Sequence, residues 1–333
     1  MADAVPDRAW FRRVMPLAAP PAGQPDPAAD AESALARLAE LSALDEGIPD
    51  ATRSRLYEPD GECVATLVIW HGFTNAPSQF SAVAEYLRDR GFRVLVPRMP
   101  FHGESDVLNR DMLQLTPAML VDHLHTVIDI AVGFGDPVWV VGLSAGATMA
   151  GWAAATRSEV SRVVLAAPLV APVGFPMWLV RLFAKFPRIV PRIYWWWDPR
   201  VKAEIKGSPY AYPGFPLPGI MPFLHLSEWL YDATVRVGHD LDRAVLVTNP
   251  SDFAIRKDAA RAFASEVFAP RAASFGEAVI DPELKWMHDF VDPRSDGSGT
   301  TDQVVAVLLA SLGTGDPAAG GVLVPPLVAP LPA

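Results

Sequence analysis

The chain has 333 residues, half of them hydrophobic and one fifth charged, which suits one large α/β domain or a core domain with an insertion. Its 38 acidic and 28 basic side chains give a formal net charge of −10. This charge argues against nucleic-acid binding and against electrostatic attraction to anionic lipid surfaces. The single cysteine, Cys63, excludes an intramolecular disulfide and a cysteine-based zinc site.

The N-terminal region, residues 1–50, is predicted to be an arm with one helix. Residues 1–29 are rich in Pro, Ala and Asp, which is typical of irregular chain, although Trp10 and Phe11 are able to anchor it to the body. Leucines at every third position predict an amphipathic helix over 31–44.

Two basic residues followed by an apolar stretch near the N-terminus faintly resemble an export signal. Three prolines interrupt that stretch, where a signal needs a continuous apolar helix. No stretch approaches the ~20 continuous apolar residues of a membrane span. We therefore expect a cytoplasmic protein without a transmembrane segment.

The first part of the core, residues 51–167, alternates strand-like apolar runs with helical patterns. This alternation predicts a mostly parallel sheet with helices on both faces. Thr116 is the expected N-cap of one helix, with Pro117 at its first position. The predicted strands are 53–57, 63–70, 93–97, 137–141 and 162–167, and the predicted helices are 77–90, 116–132 and 145–155.

The regular pattern breaks between residues 168 and 226, where prolines and aromatic residues are dense and no buried strand is apparent. We interpret this stretch as a cap (lid) inserted over the carboxyl ends of the strands. Most of its aromatic side chains are expected to attach the cap to the core, and some to line an apolar acyl or aromatic pocket. The candidates for that pocket are Phe175, Trp178, Trp195, Trp196 and Phe215.

The second part of the core, residues 227–312, returns to the strand and helix pattern. It contains predicted strands at 244–248 and 273–280 and predicted helices at 226–237, 257–268 and 302–312. The tail, residues 313–333, is rich in Gly, Pro and Ala, carries no catalytic groups and is expected to be mobile.

A serine between two glycines joins the predicted strand 137–141 to the helix 145–155. Such a turn is so tight that large side chains two residues before and after the serine would collide, and Gly142 and Gly146 meet that demand. The turn exposes Ser144 above the sheet, with a helix N-terminus behind it that favours developing negative charge. The pattern predicts that Ser144 is a nucleophile; the alternative is a plain tight turn.

A serine hydroxyl becomes a good nucleophile when a histidine, itself oriented by a carboxylate, takes its proton. Each partner should follow a strand at the carboxyl edge of the sheet. Three histidines lie downstream of the serine: His225 in or beside the cap, His239 in a polar loop before a strand, and His288 after the last predicted strand. The required position selects His288 as the base.

Asp252 directly follows a predicted strand and is the expected carboxylate partner, although it also suits a turn or a helix cap. Asp240 and Asp242 precede that strand and would lie at the wrong edge. Asp289 and Asp292 are too close to the histidine in sequence to orient it, and Asp292 is better suited to pin the loop.

A tetrahedral intermediate also needs two backbone donors aimed at its oxyanion. The predicted donors are the amide of Ala145, next to the nucleophile, and the amide of Phe73, in the loop after strand 63–70. His71 and Gly72 are expected to let this loop turn under the site, so His71 is an orienting residue rather than a base. His102 is expected to brace the loop from the neighbouring turn.

Five segments together resemble the α/β-hydrolase superfamily, and within it bacterial carboxylesterases and monoacylglycerol-lipase-like or lysophospholipase-like serine hydrolases. They are HGFTNAPSQF (71–80), VLVPRMPFHGES (94–105), GLSAG (142–146), NPSDFAI (249–255) and HDFVDP (288–293). The resemblance runs from about residue 53 to 312 and is weaker in the cap. It implies a catalytic triad of Ser144, Asp252 and His288.

One position departs from this family pattern. Phe101 stands where such enzymes usually have a glycine before His-Gly, and the resemblance implies that its ring narrows the pocket.

The sequence therefore predicts a serine hydrolase that cleaves small-molecule or lipid-like carboxylic esters without a cofactor or a metal. An acyltransferase or an amidase would use the same triad. A non-catalytic binding protein with this fold is disfavoured because all three triad positions are filled. A dehalogenase or an epoxide hydrolase would need an aspartate in place of Ser144.

Overall fold

The computed structural model describes residue 13 and residues 15–196, 210–232, 240–295 and 297–314. Several sequence predictions fall outside the described residues. They are the anchoring by Trp10 and Phe11, the central part of the cap (197–209), the alternative base His239, and the tail beyond residue 314.

A central sheet positions the candidate site. The strands are β1 (Arg55–Tyr57), β2 (Ala65–Trp70), β3 (Phe92–Val96), β4 (Val138–Leu143), β5 (Val160–Ala166), β6 (Tyr194–Trp196), β7 (Gly214–Pro216), β8 (Leu241–Thr248) and β9 (Ala272–Val279). Within the described residues, seven of them form one sheet in the order β1-β3-β2-β4-β5-β8-β9. Strand β1 pairs with β3 antiparallel, and every other neighbouring pair in this sheet is parallel.

Helices cover both faces of this sheet, as predicted. They are α1 (Ala31–Ala43), α2 (Ser81–Arg88), α3 (Pro117–Gly133), α4 (Ala145–Thr156), α5 (Met177–Lys185), α6 (Met221–Asp232), α7 (Lys257–Val267) and α8 (Thr301–Leu312). Short 3-10 turns span Asp50–Thr52, Pro77–Phe80, Asp111–Gln114, Pro187–Ile189, Leu217–Ile220 and Pro282–Leu284. None of the helices in the described ranges is both long enough and apolar enough to span a membrane.

The alternation of side chains along the strands produces two hydrophobic layers. On β2, Val68 and Trp70 join the layer that contains buried residues of α3, α4, α6 and α7. Leu67 and Ile69, which alternate with these two residues, join the layer covered by α2 and α8. Successive side chains of a strand point to opposite faces, so a strand that is apolar at every position is buried on both sides. The prediction that β2 is such a strand is confirmed.

The start of α3 agrees in detail with the sequence, whereas the leucines of the predicted helix 31–44 do not form one buried face. Thr116 caps α3 by accepting the N–H of Met119, and Pro117 is at its first position. In α1, Leu41 is buried but Leu35 is exposed, and Leu44, directly after the helix, is also exposed. A spacing of three residues falls about 60° short of a full turn at each step, so these leucines drift around the helix instead of sharing one face.

The segment between β5 and β8 contains α5, α6 and an antiparallel ribbon of β6 and β7. The sequence does not predict this ribbon, because strands of three residues are too short to show a period of two. Helix α6 begins at Met221, inside the predicted cap, where the sequence predicts a helix only from residue 226.

Residues 15–30 of the N-terminal arm lie against the body without helix or strand. The backbone N–H groups of Asp26 and Ala28 donate to Asp129 of α3. Nearer the N-terminus, the carbonyl of Met15 accepts from Arg181 of α5. The arm therefore contacts both the core and the segment between β5 and β8.

Candidate active site

Ser144 occupies a sharp turn between β4 and α4. Its backbone has φ 57° and ψ −116°, a region that is sterically unfavourable for a residue with a side chain. Its N–H donates to the carbonyl of Ala166 at 2.9 Å, and its carbonyl accepts from the amides of Ala147, Thr148 and Leu169 at 3.0, 3.2 and 3.1 Å. These four hydrogen bonds to the neighbouring strand, helix and loop stabilise the strained conformation.

The two glycines around Ser144 lie where the backbone segments meet. A Cβ atom on Gly142 would overlap the carbonyl of Gly146, and one on Gly146 would overlap the carbonyl of Trp70 at the end of β2. The steric demand is therefore stricter than the sequence predicts, because even a methyl group does not fit.

His288 and Asp252, which follow β9 and β8, form a hydrogen-bonded pair. The Nδ1 atom of His288 lies 2.7 Å from Oδ2 of Asp252. The buried carboxylate of Asp252 also accepts the backbone N–H groups of Ala254 and Ile255 through Oδ1, at 2.7 and 3.3 Å. Since an ionised carboxylate only accepts, Nδ1 is the donor, and Nε2 is left to accept a proton.

The electrostatics of this pair favour charge on both members. Burial by itself would raise the pKa of Asp252, but His288 and the amides of Ala254 and Ile255 bring that pKa below its ordinary value. Burial would lower the pKa of His288, but the charge and hydrogen bond of Asp252 and the charge of Asp289 bring it above the ordinary value. The imidazolium form of His288 is thus stabilised by its neighbours.

Asn249 holds the two loops of this pair together, a role that the sequence analysis missed. Its side chain is buried, and Nδ2 donates to the carbonyls of Trp286 and Met287, both at 2.8 Å. The signal in the sequence is an asparagine directly before the Pro-Ser-Asp turn. Its partners lie 37 and 38 residues away, so local patterns do not identify them.

The loop after β2 presents the amide of Phe73, and α4 begins with the amide of Ala145. Both residues are buried, and neither N–H donates a hydrogen bond to any described residue. In the same loop, Gly72 donates its N–H to Oε1 of Gln79 at 2.7 Å, and its carbonyl accepts the N–H of Asn75 at 3.1 Å. Two buried backbone donors without a partner are the groups that an oxyanion would require.

Comparison with known proteins identifies the fold. Residues 65–206 match a family described as the α/β-hydrolase fold. The chain has the α/β-hydrolase fold. No curated protein matches it in sequence.

Solved structures of low sequence identity share the hydrolase fold. A metagenome-derived lipolytic enzyme is 16% identical, with a TM-score of 0.56 over 79% of this chain and 98% of its own. The monoacylglycerol lipase of Paleococcus ferrophilus is 18% identical, with a TM-score of 0.56 over 78% of this chain and 98% of its own. A soluble variant of the monoglyceride lipase of Saccharomyces cerevisiae is 14% identical, with a TM-score of 0.52 over 73% and 85% of the two chains.

Two buried histidines lie close to Phe73: His71 is in the same loop after β2, and His102 follows β3. Nδ1 of His71 lies 2.9 Å from the carbonyl of Gly72, and Nε2 accepts the N–H of Met99 at 3.2 Å, so His71 is neutral with its proton on Nδ1. Burial lowers the pKa of His71 well below its ordinary value. Burial also lowers the pKa of His102 to about 4, and its ring lies edge-on to Phe73 with centroids 5.5 Å apart. Neutral, buried rings suit the predicted orienting and bracing roles.

Phe101, the departure from the family pattern, has φ 63°. This left-handed conformation costs little for glycine and about 1–2 kcal/mol for a residue with a Cβ atom. The backbone thus explains why glycine suits this position, and the phenylalanine adopts the conformation at a steric cost.

The alternative triad residues occupy other places. His225 of α6 lies between the carbonyls of Ala184 and Ala18, at 3.2 and 3.0 Å. Asp240 and Asp242 lie at the start of β8, at the edge of the sheet opposite to Asp252.

The two acidic residues that follow His288 contact its own loop and the loop after β2. Asp292 is buried and accepts from the guanidinium of Arg294 at 2.8 Å. Asp289 accepts from Asn75 and Ser295, both at 3.0 Å.

The five pocket candidates lie in different surroundings. Phe215 packs against Phe73, with ring centroids 5.0 Å apart. Phe175 contacts Trp195 at 6.4 Å, and Trp196 contacts the neighbouring Tyr194 at 5.0 Å. Trp178 and Trp195 are 47% and 44% exposed. Of the ring contacts between described residues, only that of Phe215 connects a pocket candidate to the Phe73 loop.

Among the described residues, no group of three or more His, Cys, Asp or Glu side chains is arranged to hold a metal ion.

Proposed function

We propose that the protein is a serine hydrolase that cleaves carboxylic esters through an acyl-enzyme on Ser144. The hydrogen bond of 2.7 Å between His288 and Asp252 is the observation that supports this most strongly. Its two members follow adjacent parallel strands, β8 and β9, and therefore lie at the same edge of the sheet as the turn of Ser144. Acyl transfer through an acyl-enzyme uses three groups: a serine, a histidine and a buried carboxylate. The serine here is held at a strained turn.

In the proposed reaction, Nε2 of His288 takes the proton of Ser144 as Oγ attacks the ester carbonyl. The amides of Phe73 and Ala145 stabilise the oxyanion, and Asp252 stabilises the imidazolium. The tetrahedral intermediate expels the alcohol, which receives the proton from His288. Water, activated by the same histidine, then attacks the acyl-enzyme and releases the acid.

We further propose that residues 168–226 form a cap whose apolar side chains favour apolar acyl or aromatic groups. The backbone N–H of Tyr212 donates to the carbonyl of Thr74 at 2.8 Å, and Phe215 and Phe223 pack their rings against Phe73. The apolar surface of the cap thus begins beside one proposed oxyanion donor. An apolar wall with few polar groups is typical of small-molecule sites.

The experiment is a panel of aryl esters with acyl chains from acetate to long alkyl groups, assayed with the wild type and Ser144→Ala. We expect hydrolysis by the wild type, a preference for chains longer than acetate, and loss of activity by roughly 10⁵–10⁶-fold in the variant. Retained activity in Ser144→Ala would show that the nucleophile is wrong. A profile that peaks at acetate and rejects longer chains would contradict the proposed cap specificity.

A fluorophosphonate probe separates an enzyme from a non-catalytic protein with this fold. Labelling of the folded protein at Ser144 is expected, and its absence would favour a binding protein. Product analysis in the presence of a competing alcohol or amine distinguishes ester hydrolysis from acyl transfer, and an amide panel tests for amidase activity.

A further inference from the structure

A hydrogen bond links the oxyanion loop, residues 71–76, directly to the loop of the proposed base. Nδ2 of Asn75 donates to Oδ2 of Asp289 at 3.0 Å, although the two residues are 214 positions apart. Asn75 is buried, and its Oδ1 accepts the N–H of Ala76 at 3.2 Å. Since its backbone N–H donates to the carbonyl of Gly72, Asn75 is fixed in the same turn that presents the amide of Phe73.

The loop of the proposed base has its own fixed structure around this contact. Ser295 donates its hydroxyl to the same oxygen of Asp289 at 3.0 Å. The guanidinium of Arg294 donates to the buried carboxylate of Asp292 and to the carbonyl of Ser78, at 2.8 and 2.7 Å. The loop of the base therefore contacts the oxyanion loop through Asp289 and the following 3-10 turn through Arg294, and Asp289 is the contact residue adjacent to His288.

The charges around Asp289 identify a second way in which it acts on His288. Burial above all, together with the charge of Asp292, raises the pKa of Asp289 above its ordinary value, although Gln79, Ser295 and His288 act in the opposite direction. Arg294 also interacts favourably with Asp289. The groups that face His288 are Asp252 from the loop after β8 and Asp289 from its own loop, and both raise the pKa of His288.

We propose that Asp289 is a positioning residue of the proposed hydrolase: through Asn75 it holds the oxyanion loop against the loop of the base, and its carboxylate places a negative charge on the residue next to His288. This inference rests on the proposed function. It adds a residue that touches neither substrate nor reacting atoms and acts through Asn75 and His288.

The physical reason is that two groups must be in place at the same moment. As Ser144 attacks, negative charge develops at the oxyanion while His288 becomes positive. The amide of Phe73 and Nε2 of His288 come from loops at distant places in the chain, so their relative position depends on contacts between the loops. A displacement of about 1 Å in such an arrangement costs on the order of 10²-fold in rate.

The experiment combines two variants with one control. Asp289→Asn keeps the shape and an acceptor for Asn75 but removes the charge, whereas Asn75→Ala removes the contact but keeps the charge. Glu283→Gln removes an exposed carboxylate from the same connection between β9 and α8 and is the control. Thermal melting of each variant verifies that it is folded.

In Asp289→Asn, we expect the titration of His288, followed by NMR, to move to lower pH by roughly 0.5–1 pH unit. The acidic limb of the pH profile of kcat/KM should also move to lower pH, since the neutral histidine is the active form. In Asn75→Ala, kcat should fall roughly 10–100-fold, while KM stays within about twofold of the wild-type value. The acidic limb of the pH profile of kcat/KM should not move in this variant. Glu283→Gln should match the wild type.

An unchanged His288 titration in Asp289→Asn, or an unchanged kcat in Asn75→Ala, would overturn the inference. The failure of the proposed function has a different signature, because the wild type would then neither hydrolyse esters nor label at Ser144. The NMR titration needs no turnover, so it decides the effect of the charge in either case. If Asn75→Ala is unfolded, Asn75→Ser supplies the kcat measurement.

Discussion

The carboxyl edge of the main sheet and the segment between β5 and β8 are organised by different forces. Strands β2 and β4 are fully buried and paired in parallel, and the candidate residues follow strand ends. The segment between β5 and β8 has strands of three residues and several exposed apolar side chains, including Phe186 and Ile189. Parallel backbone pairing determines the geometry of the first region, whereas the second combines a short paired ribbon with side-chain contacts.

This difference indicates how function is divided. The proposed bond-breaking groups depend on a rigid sheet, whereas the proposed cap reaches them through a few contacts, such as those of Tyr212 with Thr74 and Phe215 with Phe73. We expect changes at the sheet edge to alter chemistry or folding strongly. Changes in the segment between β5 and β8 should alter substrate preference moderately.

The largest effect is expected for Asp252, the proposed carboxylate partner of His288 at the carboxyl edge of the sheet. Asp252→Asn should lower kcat for ester hydrolysis by about 10⁴-fold, because the amide no longer fixes the tautomer of His288 or stabilises its imidazolium. The control is Asp258→Asn, which removes a partly exposed carboxylate of α7 that pairs with Arg256, the residue before the helix. It should leave kcat unchanged. A loss below tenfold in Asp252→Asn would mean that another group orients the histidine.

A matched pair of glycines on α4 tests the rigidity of the turn. Gly146→Ala should destabilise the fold by several kcal/mol in urea unfolding, since its methyl group would overlap the carbonyl of Trp70. In Gly151→Ala, the added atom would lie 3.4 Å from Leu165 and Phe268, and the change should be neutral or stabilising by up to about 1 kcal/mol. Equal stabilities of the two variants would contradict the steric account.

The buried histidines near the oxyanion loop should make the stability depend on pH. Burial lowers the pKa of His102 to about 4 and that of His123 to about 3. Their contribution is complete above the unfolded pKa of about 6.5 and is lost as the pH falls, because only the unfolded chain then binds these protons. Between pH 7 and 5, each should reduce the free energy of unfolding by about 2 kcal/mol.

Urea unfolding at the two pH values measures this loss, and His123→Leu provides the comparison. The variant should lose about 2 kcal/mol less than the wild type over the same pH range. The same loss in both proteins would exclude His123 as a source of the pH dependence.

A smaller effect is expected in the segment between β5 and β8. Phe215→Ala should lower kcat/KM for long-chain esters by about tenfold, because it removes a ring that packs against Phe73. Phe186→Ala, which removes an exposed ring from the same segment, should have no such effect. Similar losses of kcat/KM in both variants, or no loss in either, would show that contact with the oxyanion loop does not determine the activity on long-chain esters.

The smallest effect concerns Phe101. Both Phe101→Gly and Phe101→Ala remove the ring, but only glycine relieves the left-handed backbone at φ 63°. The glycine variant should therefore be more stable than the alanine variant by about 1 kcal/mol in urea unfolding. Equal stability would mean that the backbone relaxes around alanine.

Much of the sheet and its helices follows from local signals in the sequence. Apolar runs predict the buried strands, and Thr116 followed by Pro117 predicts the start of α3. The exceptions have physical causes. The ribbon of β6 and β7 is too short for a period of two, and the leucines of α1 drift around the helix because their spacing is not 3.6 residues.

The sequence by itself determined which side chains are available at the ends of parallel strands, because strand position and residue type are local properties. It therefore yielded Ser144, Asp252 and His288 as candidates. Only the tertiary structure decided which polar groups hold their loops together. Asn249, Asn75 and Asp289 are polar loop residues without periodicity, and the partners of Asn249 and Asn75 lie 37 or more positions away. Such contacts exist only after the sheet brings the strand ends to one edge.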